Sequence, residues 1–248
     1  MHMNLSRRTA VVAGVFFLLT EIGAIVGALL YTPLLNGPDY IVSPGDDTSV
    51  FLGACFEVIL VISAVGTAVT LYPILKRQNE ALAIAYVSAR VLEAAVIVVG
   101  IISLLAVVTL RQDLAASADA DAAMLVTVGS SLLAIHEWTF FFGPGIALGI
   151  GSVLLASLMY TTRLVPRAIA VLGLVGGALI CASSVAVLFG AYEQVSTIGL
   201  VVALPVFAWE VSLAVWLIAK GFRAVPVLTG TALERVVESQ PSAAAVSR

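Results

Sequence analysis

Residues 85–108 read AYVSARVLEAAVIVVGIISLLAVV and carry charge at only two positions, Arg90 and Glu93. A helix that crosses the hydrocarbon core of a membrane needs about 20 predominantly apolar residues, and this stretch is long enough to do so. The two charges lie three residues apart, which places them on the same face of a helix. The stretch therefore predicts a membrane-spanning helix with an ion pair near its middle.

The whole chain has the composition of a membrane protein. Of its 248 residues, 61% are hydrophobic and 11% are charged, and the mean hydropathy is +1.11. A typical soluble domain has about 45–50% apolar and about 25% charged residues, so lipid is the predicted solvent. The net charge of -3 gives no indication of nucleic-acid binding. Cys55 and Cys181 lie far apart in apolar runs and form no disulfide or metal-binding pattern.

Six segments are long and apolar enough to span a bilayer. They are residues 9–31, 50–74, 83–109, 133–160, 166–190 and 196–219. We therefore predict an all-α integral membrane protein built as a bundle of six transmembrane helices. The apolar region of the fourth span begins near Ala122 and is too long for a single crossing. A short outer helix before the fourth helix, or a kink, is therefore expected.

The charges of the loops predict the orientation of the bundle. Alternate loops and the flanks are basic, with Arg7, Arg8, Lys76, Arg77, Arg163, Arg167, Lys220 and Arg223. The opposite loops carry Asp39, Asp46, Asp47, Asp113, Asp119, Asp121 and Glu193, with Arg111 as their basic residue. The positive-inside rule then predicts that both termini are cytoplasmic. We expect residues 1–225 to form the transmembrane domain and residues 226–248 to form a short cytoplasmic tail.

Two stretches resemble a known bacterial family. LYPILKRQNEALAIAYVSARVLEA at 71–94 contains a basic loop and the R-x-x-E pair of Arg90 and Glu93. TTRLVPRAIAVLGLVGG at 161–177 contains the R-x-x-P-R motif of Arg163, Pro166 and Arg167. Over most of residues 5–225 the chain is similar to the six-helix membrane family known as domain of unknown function 4386. The resemblance implies a bacterial inner membrane protein with six helices, and it implies no particular activity.

Charged residues inside the spans are the candidate site. With a helical rise of about 1.5 Å per residue, Glu21, Glu93 and Glu210 fall about 15–18 Å from the predicted cytoplasmic ends of their helices. This depth is close to the middle of a hydrocarbon core of about 30 Å. Arg90 lies one turn from Glu93, and Tyr86 falls on the same helical stripe. Glu57 is a further candidate in the predicted outer half of its span.

The midplane residues do not balance in charge. A charge at the centre of a membrane helix costs about 2.5–3.5 kcal/mol, so these side chains should face the bundle interior. Three carboxyl groups at this depth would face a single arginine, Arg90. We therefore expect at least one of the carboxyl groups to keep its proton at neutral pH.

His136 and Glu137 are secondary candidates near the predicted outer interface. The pair resembles half of a metal motif, but zinc usually needs three or four protein ligands. The other histidine, His2, lies at the opposite end of the chain. We therefore predict no metal site and no cofactor.

These observations leave three hypotheses for the function. The first is a protein that binds or transports a small molecule, an ion or a proton through Glu21, Arg90, Glu93 and Glu210, because ionisable residues within a span often mark such sites. The second is a structural or accessory membrane protein whose buried charges only fix the helix packing. The third is an intramembrane enzyme that uses His136 and Glu137. The sequence predicts contact with the lipid bilayer and leaves the ligand and the oligomeric state open.

Overall fold

A computed structural model describes residues 5–35, 40–42, 47–116 and 121–223. The helices are α1 (Leu5–Leu30), α2 (Thr32–Leu35), α3 (Thr48–Leu75), α4 (Glu80–Ala116), α5 (Ala122–Phe140), a π-helical segment (Phe141–Ala147), α6 (Leu148–Thr162), α7 (Arg167–Leu188) and α8 (Thr197–Ala219). These described residues contain no β-strand. The tail predicted for residues 226–248 lies outside them.

Six helical runs are long and apolar enough to cross a membrane. They are Ser6–Leu30, Thr48–Leu75, Glu80–Ala116, Ala122–Thr162, Arg167–Leu188 and Thr197–Ala219. The predicted all-α architecture with six transmembrane helices is therefore confirmed, and the chain is a multi-pass membrane protein whose spans contact lipid. The third run extends beyond the predicted residues 83–109, and at about 1.5 Å per residue it is longer than the hydrocarbon core.

For the fourth run the sequence left two alternatives, a short outer helix or a kink, and the structure shows no separate outer helix among the described residues. Helix α5 begins at Ala122 and continues through the π-helical segment into α6, so that 41 residues form one helical run. Pro144 lies inside the π-helical segment. Proline has no backbone N–H and cannot donate the normal helical hydrogen bond, so the wider π turn accommodates it without ending the helix. The irregularity of the fourth run is thus a π-helical segment around Pro144.

The six runs form a ring in chain order. Helix α1 packs against α3, α3 against α4, α4 against α5, the π-helical segment and α6, α6 against α7, and α7 against α8, which returns to α1. Short connections between antiparallel helices favour such an arrangement. Helices α4 and α8 are not neighbours in this ring. A direct contact between their side chains must therefore cross the interior of the bundle.

Helices α7 and α8 approach each other closely. Trp209 on α8 is fully buried, and its indole ring packs against Gly173 on α7. A Cβ atom at Gly173 would lie 2.5 Å from the Trp209 ring, closer than carbon atoms approach. Small residues at helix contacts are typical of membrane bundles, where packing rather than water exclusion drives helix association.

One end of the bundle, called here the basic end, carries Arg7, Lys76, Arg163, Arg167 and Lys220. There the Arg7 guanidinium donates hydrogen bonds of 2.9 Å and 2.5 Å to the backbone oxygens of Leu217 and Ile218. These carbonyls lie in the last turn of α8, where a helix has no internal donors for them. Arg7 therefore ties the first helix to the last at this end.

The opposite end, called here the acidic end, contains a polar clamp. Asp47, just before α3, forms an ion pair with Arg111 on α4 and accepts hydrogen bonds of 2.7 Å from Tyr40 and 3.1 Å from Gln112. The Arg111 guanidinium lies 4.9 Å from the centre of the Tyr40 ring. Burial alone would raise the pKa of Asp47, but the hydrogen bonds and the charge of Arg111 hold that pKa below its ordinary value. Burial and the bond to Asp47 raise the pKa of Tyr40 to about 12.

Replacement of Asp47 by Asn should weaken this clamp. Near neutral pH, Asp47→Asn should lower the free energy of unfolding by about 1–3 kcal/mol, because Arg111 loses its charged partner. The folded-state pKa of Asp47 is depressed, so its stabilising effect is present above the ordinary pKa and is lost as pH falls through the folded-state value. The difference between wild type and variant, measured by thermal unfolding in detergent, should therefore shrink as pH falls below about 4. Asp113→Asn, an exposed change of the same kind on α4, is the control. If the stability difference between wild type and Asp47→Asn did not change with pH, the ionised Asp47 carboxylate would not be the source of the stabilisation.

The orientation of the bundle stays a prediction that labelling can test. In a Cys55→Ala, Cys181→Ala background, a cysteine at the exposed Glu193 of the acidic end should react with a membrane-impermeant thiol reagent in intact cells. A cysteine at Glu80, which is exposed at the basic end, should react only after the cells are opened. Reaction of the Glu80 position in intact cells would reverse the predicted orientation.

Candidate functional site

Arg90 lies on α4 in the middle of the bundle and is 2% exposed. Its Nη1 atom lies 2.9 Å from Oε2 of Glu93, one turn along the same helix. The same Nη1 atom lies 3.4 Å from Oε1 of Glu210 on α8. Glu93 is 3% exposed and Glu210 is 6% exposed, so both ion pairs are withdrawn from lipid and solvent. The contact with Glu210 joins two helices that are not neighbours in the ring.

The guanidinium also contacts α3 and α1. Its Nε atom lies 3.5 Å from the backbone oxygen of Ala64, and its Cζ atom lies 6.0 Å from the centre of the Phe17 ring. Aromatic faces attract cations, and the attraction is stronger where water is excluded. The second guanidinium nitrogen, Nη2, is buried without a hydrogen-bond partner among the described residues. Arg90 thus interacts with side chains or backbone of α1, α3, α4 and α8.

Tyr86 lies one turn before Arg90 and is buried with it. Its hydroxyl donates a hydrogen bond of 3.3 Å to Oγ1 of Thr67, which in turn donates 2.7 Å to the backbone oxygen of Ala64. This is the carbonyl that faces Nε of Arg90. The predicted stripe of Tyr86, Arg90 and Glu93 therefore faces one interior site, and Tyr86 supports Arg90 through α3.

Glu21 on α1 completes the cluster. Its carboxyl group lies within hydrogen-bonding reach of the Glu210 carboxyl group and interacts electrostatically with Arg90 and Glu93. The Glu21 side chain is half-buried, whereas its three charged neighbours are buried. Two carboxyl groups can form a hydrogen bond only if one of them carries a proton. We refer below to Glu21, Arg90, Glu93 and Glu210 as the central cluster.

Glu57 and His136 lie together outside the central cluster. Glu57 on α3 accepts a hydrogen bond of 3.0 Å from the hydroxyl of Tyr31, which directly follows α1. The Tyr31 ring packs edge-on against the His136 ring of α5, with 6.1 Å between ring centres. The structure thus brings Glu57 and His136 to one region of the interior through Tyr31, a residue that the sequence analysis did not single out.

The two secondary candidates, His136 and Glu137, do not share a site. His136 is 2% exposed, whereas Glu137 is exposed. Consecutive residues on a helix point about 100° apart, so they do not face a common ligand. The half-motif that the sequence indicated is therefore not assembled. Among the described residues there is no group of three or more histidine, cysteine, aspartate or glutamate side chains that could hold a metal ion.

The family model described as domain of unknown function (DUF4386) matches residues 12–221. The chain belongs to this family. Comparison with curated proteins gave no match, and comparison with solved structures gave none either. The matched residues of the DUF4386 family include all six spans for most or all of their length, and the central cluster, Tyr31, Glu57 and His136 lie within them.

Removal of both acidic partners of Arg90 tests the geometry of this DUF4386 protein. We expect Glu93→Gln and Glu210→Gln to be mild alone, because each variant leaves one carboxylate beside the guanidinium. The double variant should lose about 3–5 kcal/mol of unfolding free energy, because it removes both carboxylates that contact a buried arginine that stays protonated. The measurement is denaturant-induced unfolding in detergent.

Arg90→Gln in the double-variant background should restore part of the lost stability, because it removes a buried charge that has lost both of its contacting carboxylates. Glu137→Gln, an exposed change of the same type, should have little effect. Strictly additive effects of the two glutamate changes would mean that they do not share Arg90 as a partner.

Proposed function

We propose that this protein binds a proton, or a monovalent cation in its place, at the central cluster and acts as a small binding or transport protein. The observation that carries the proposal is the contact between the carboxyl groups of Glu21 and Glu210 beside a single buried arginine. Ionisable groups inside a membrane are costly to keep and commonly mark ion, proton or substrate sites.

The charges of the cluster support a bound positive charge. If every group were ionised, three carboxylates would face one guanidinium in a region of low dielectric constant. Like charges at such short range repel strongly there, so one or two further positive charges are needed. A proton on the Glu21–Glu210 pair supplies one of them. In this proposal Arg90 is the fixed counter-ion, and Glu21 and Glu210 hold the exchangeable charge.

The partial burial of Glu21 suggests where exchange occurs. Arg90, Glu93 and Glu210 are enclosed by the bundle, whereas Glu21 is half-buried on α1. A proton or cation that enters or leaves the site would reach Glu21 before the enclosed residues. We further propose that the protein resides in a bacterial inner membrane, which agrees with a bundle of helical spans, since outer-membrane proteins are typically β-barrels.

The second candidate function is purely structural. Arg90 interacts with four helices, and its pair with Glu210 crosses the ring, so the cluster could serve to fix the helix packing. Buried polar groups can specify one arrangement among several, although this is not general. In that case the protonation of Glu21 and Glu210 would not change with external pH, and their replacement would alter stability alone.

Infrared difference spectroscopy of the protein in lipid vesicles separates the two functions. As pH falls from about 11 to about 5, the wild type should gain a protonated-carboxyl band that is absent in Glu21→Gln and in Glu210→Gln. A gradient of Na⁺ or K⁺ across the vesicle membrane should drive pH changes that these variants no longer support. Glu137→Gln is the matched control. Identical spectra for the wild type and both variants would contradict a titrating site at the central cluster.

A further inference from the structure

The interior contains a second polar cluster that lies between the central cluster and the acidic end. It consists of Tyr31, Glu57 and His136, which are 1%, 7% and 2% exposed. On α3, Glu57 lies seven residues from Ala64, the backbone contact of Arg90. Along a helix this separation corresponds to about 10 Å. Leu60, Ile97 and other apolar residues occupy the layer between the two clusters.

The three helices around this cluster leave room for its polar side chains. A Cβ atom at Gly27 would lie 2.9 Å from Cγ of Glu57, and one at Gly53 would lie 2.7 Å from the Tyr31 ring. A Cβ atom at Gly100 would lie 3.1 Å from Nδ1 of His136. Each polar side chain is thus accommodated by a glycine on a neighbouring helix. Because protein interiors are closely packed, a larger residue at any of these three glycine positions would occupy the space that the polar side chains fill.

The imidazole of His136 has hydrogen-bonding capacity that the protein does not use. Neither ring nitrogen makes a hydrogen bond of normal geometry among the described residues, and the nearest backbone group to the ring is that of Gly100, on the Nδ1 side. The ring is held edge-on between Tyr31 and Phe140, with 6.1 Å and 5.1 Å between ring centres. A buried imidazole that only filled space would normally donate its N–H to a carbonyl or a carboxylate. His136 is therefore held in position with Nδ1 towards Gly100, while Nε2 has no hydrogen-bond partner among the described residues.

We propose that Glu57, Tyr31 and His136 form a second proton-binding site. The proton, which comes from water and returns to it, is held either on the Glu57 carboxylate or on a nitrogen of His136. Tyr31 donates its hydroxyl proton to Glu57 in a hydrogen bond and so orients the carboxyl group. The titratable groups that act on the cluster from the surrounding helices are Glu57, Tyr31, His136 and Cys55, and α4 contributes the backbone of Gly100.

This inference deepens the proposed function, on which it rests in one respect. Two proton sites spaced along the bundle axis are what a proton route through the membrane requires, but only if the central cluster also titrates. The second site lies on the side of the acidic end, and an apolar layer separates it from the central cluster. Such a layer would keep the two sites from exchanging freely and so prevent a continuous leak.

Infrared and nuclear magnetic resonance measurements on the full chain in lipid test the second site. Acidification from about pH 8 to about pH 3 covers the ranges in which histidine and glutamate ordinarily titrate. Over this range we expect a protonated-carboxyl band that Glu57→Gln removes and Glu210→Gln retains. Tyr31→Phe should shift the position of that band, because the hydrogen bond to Glu57 is lost. His136→Asn should shift its midpoint pH, whereas Glu137→Gln and Tyr160→Phe should leave the band unchanged.

A second measurement keeps the inference testable if the Glu57 variant does not fold. The sequence contains two histidines, so ¹⁵N-histidine labelling of the wild type gives two pairs of ring-nitrogen signals, and His136→Asn identifies the pair that belongs to His136. The His136 signal should change with pH in step with the carboxyl band. A His136 signal and a Glu57 band that are both constant over the range would overturn the second site.

The outcomes separate this inference from the proposed function. If Glu21→Gln and Glu210→Gln remove a band while Glu57→Gln removes none, the second site is wrong and the proposed function stands. If Glu57→Gln removes a band while the central variants remove none, the second site stands and the proposed function fails. If no variant removes a band, both are overturned.

Discussion

The buried charge of Arg90 is the constraint to which the interior of the bundle is adapted. Arginine does not lose its proton inside a protein, so its charge must be matched wherever the side chain is placed. At 2% exposure the match cannot come from water or lipid headgroups. Glu93 supplies it from the same helix and Glu210 from a helix across the ring. The packing of α8 therefore depends on a charge carried by α4.

The same constraint explains why the polar groups occur in layers. Most buried polar groups need a partner nearby, and Tyr86, Thr67 and the Ala64 carbonyl are arranged around Arg90. Two helical turns further along, Glu57 and Tyr31 satisfy each other. Between them, Leu60 and Ile97 provide the apolar packing that holds the helices together. The polar layers select the arrangement of the helices, and the apolar layer and small residues allow close contact.

Much of this organisation could be predicted from the sequence. The spans follow from uninterrupted apolar runs, and the common depth of Glu21, Glu93 and Glu210 follows from counting residues along each helix. Depth does not determine the rotation of a helix about its axis, so the pairing of Glu210 with Arg90 required the structure. The separation of His136 from Glu137 could have been foreseen, because consecutive helical residues point in different directions. The meeting of Tyr31, Glu57 and His136 could not, since they come from separate helical runs whose registers are set by packing.

The difference between a structural network and a binding site lies in the charge balance. A network that only fixed the helix packing would be most stable with equal numbers of opposite charges, since any excess is costly in a medium of low dielectric constant. The ion pair of Arg90 and Glu93 alone would meet that requirement. Glu210 and Glu21 add two carboxyl groups beyond this balance, and they lie close enough to share a proton. A membrane protein that keeps two surplus carboxyl groups beside one arginine retains groups whose charge can change, and this is why we favour binding of a proton or cation over a purely structural role.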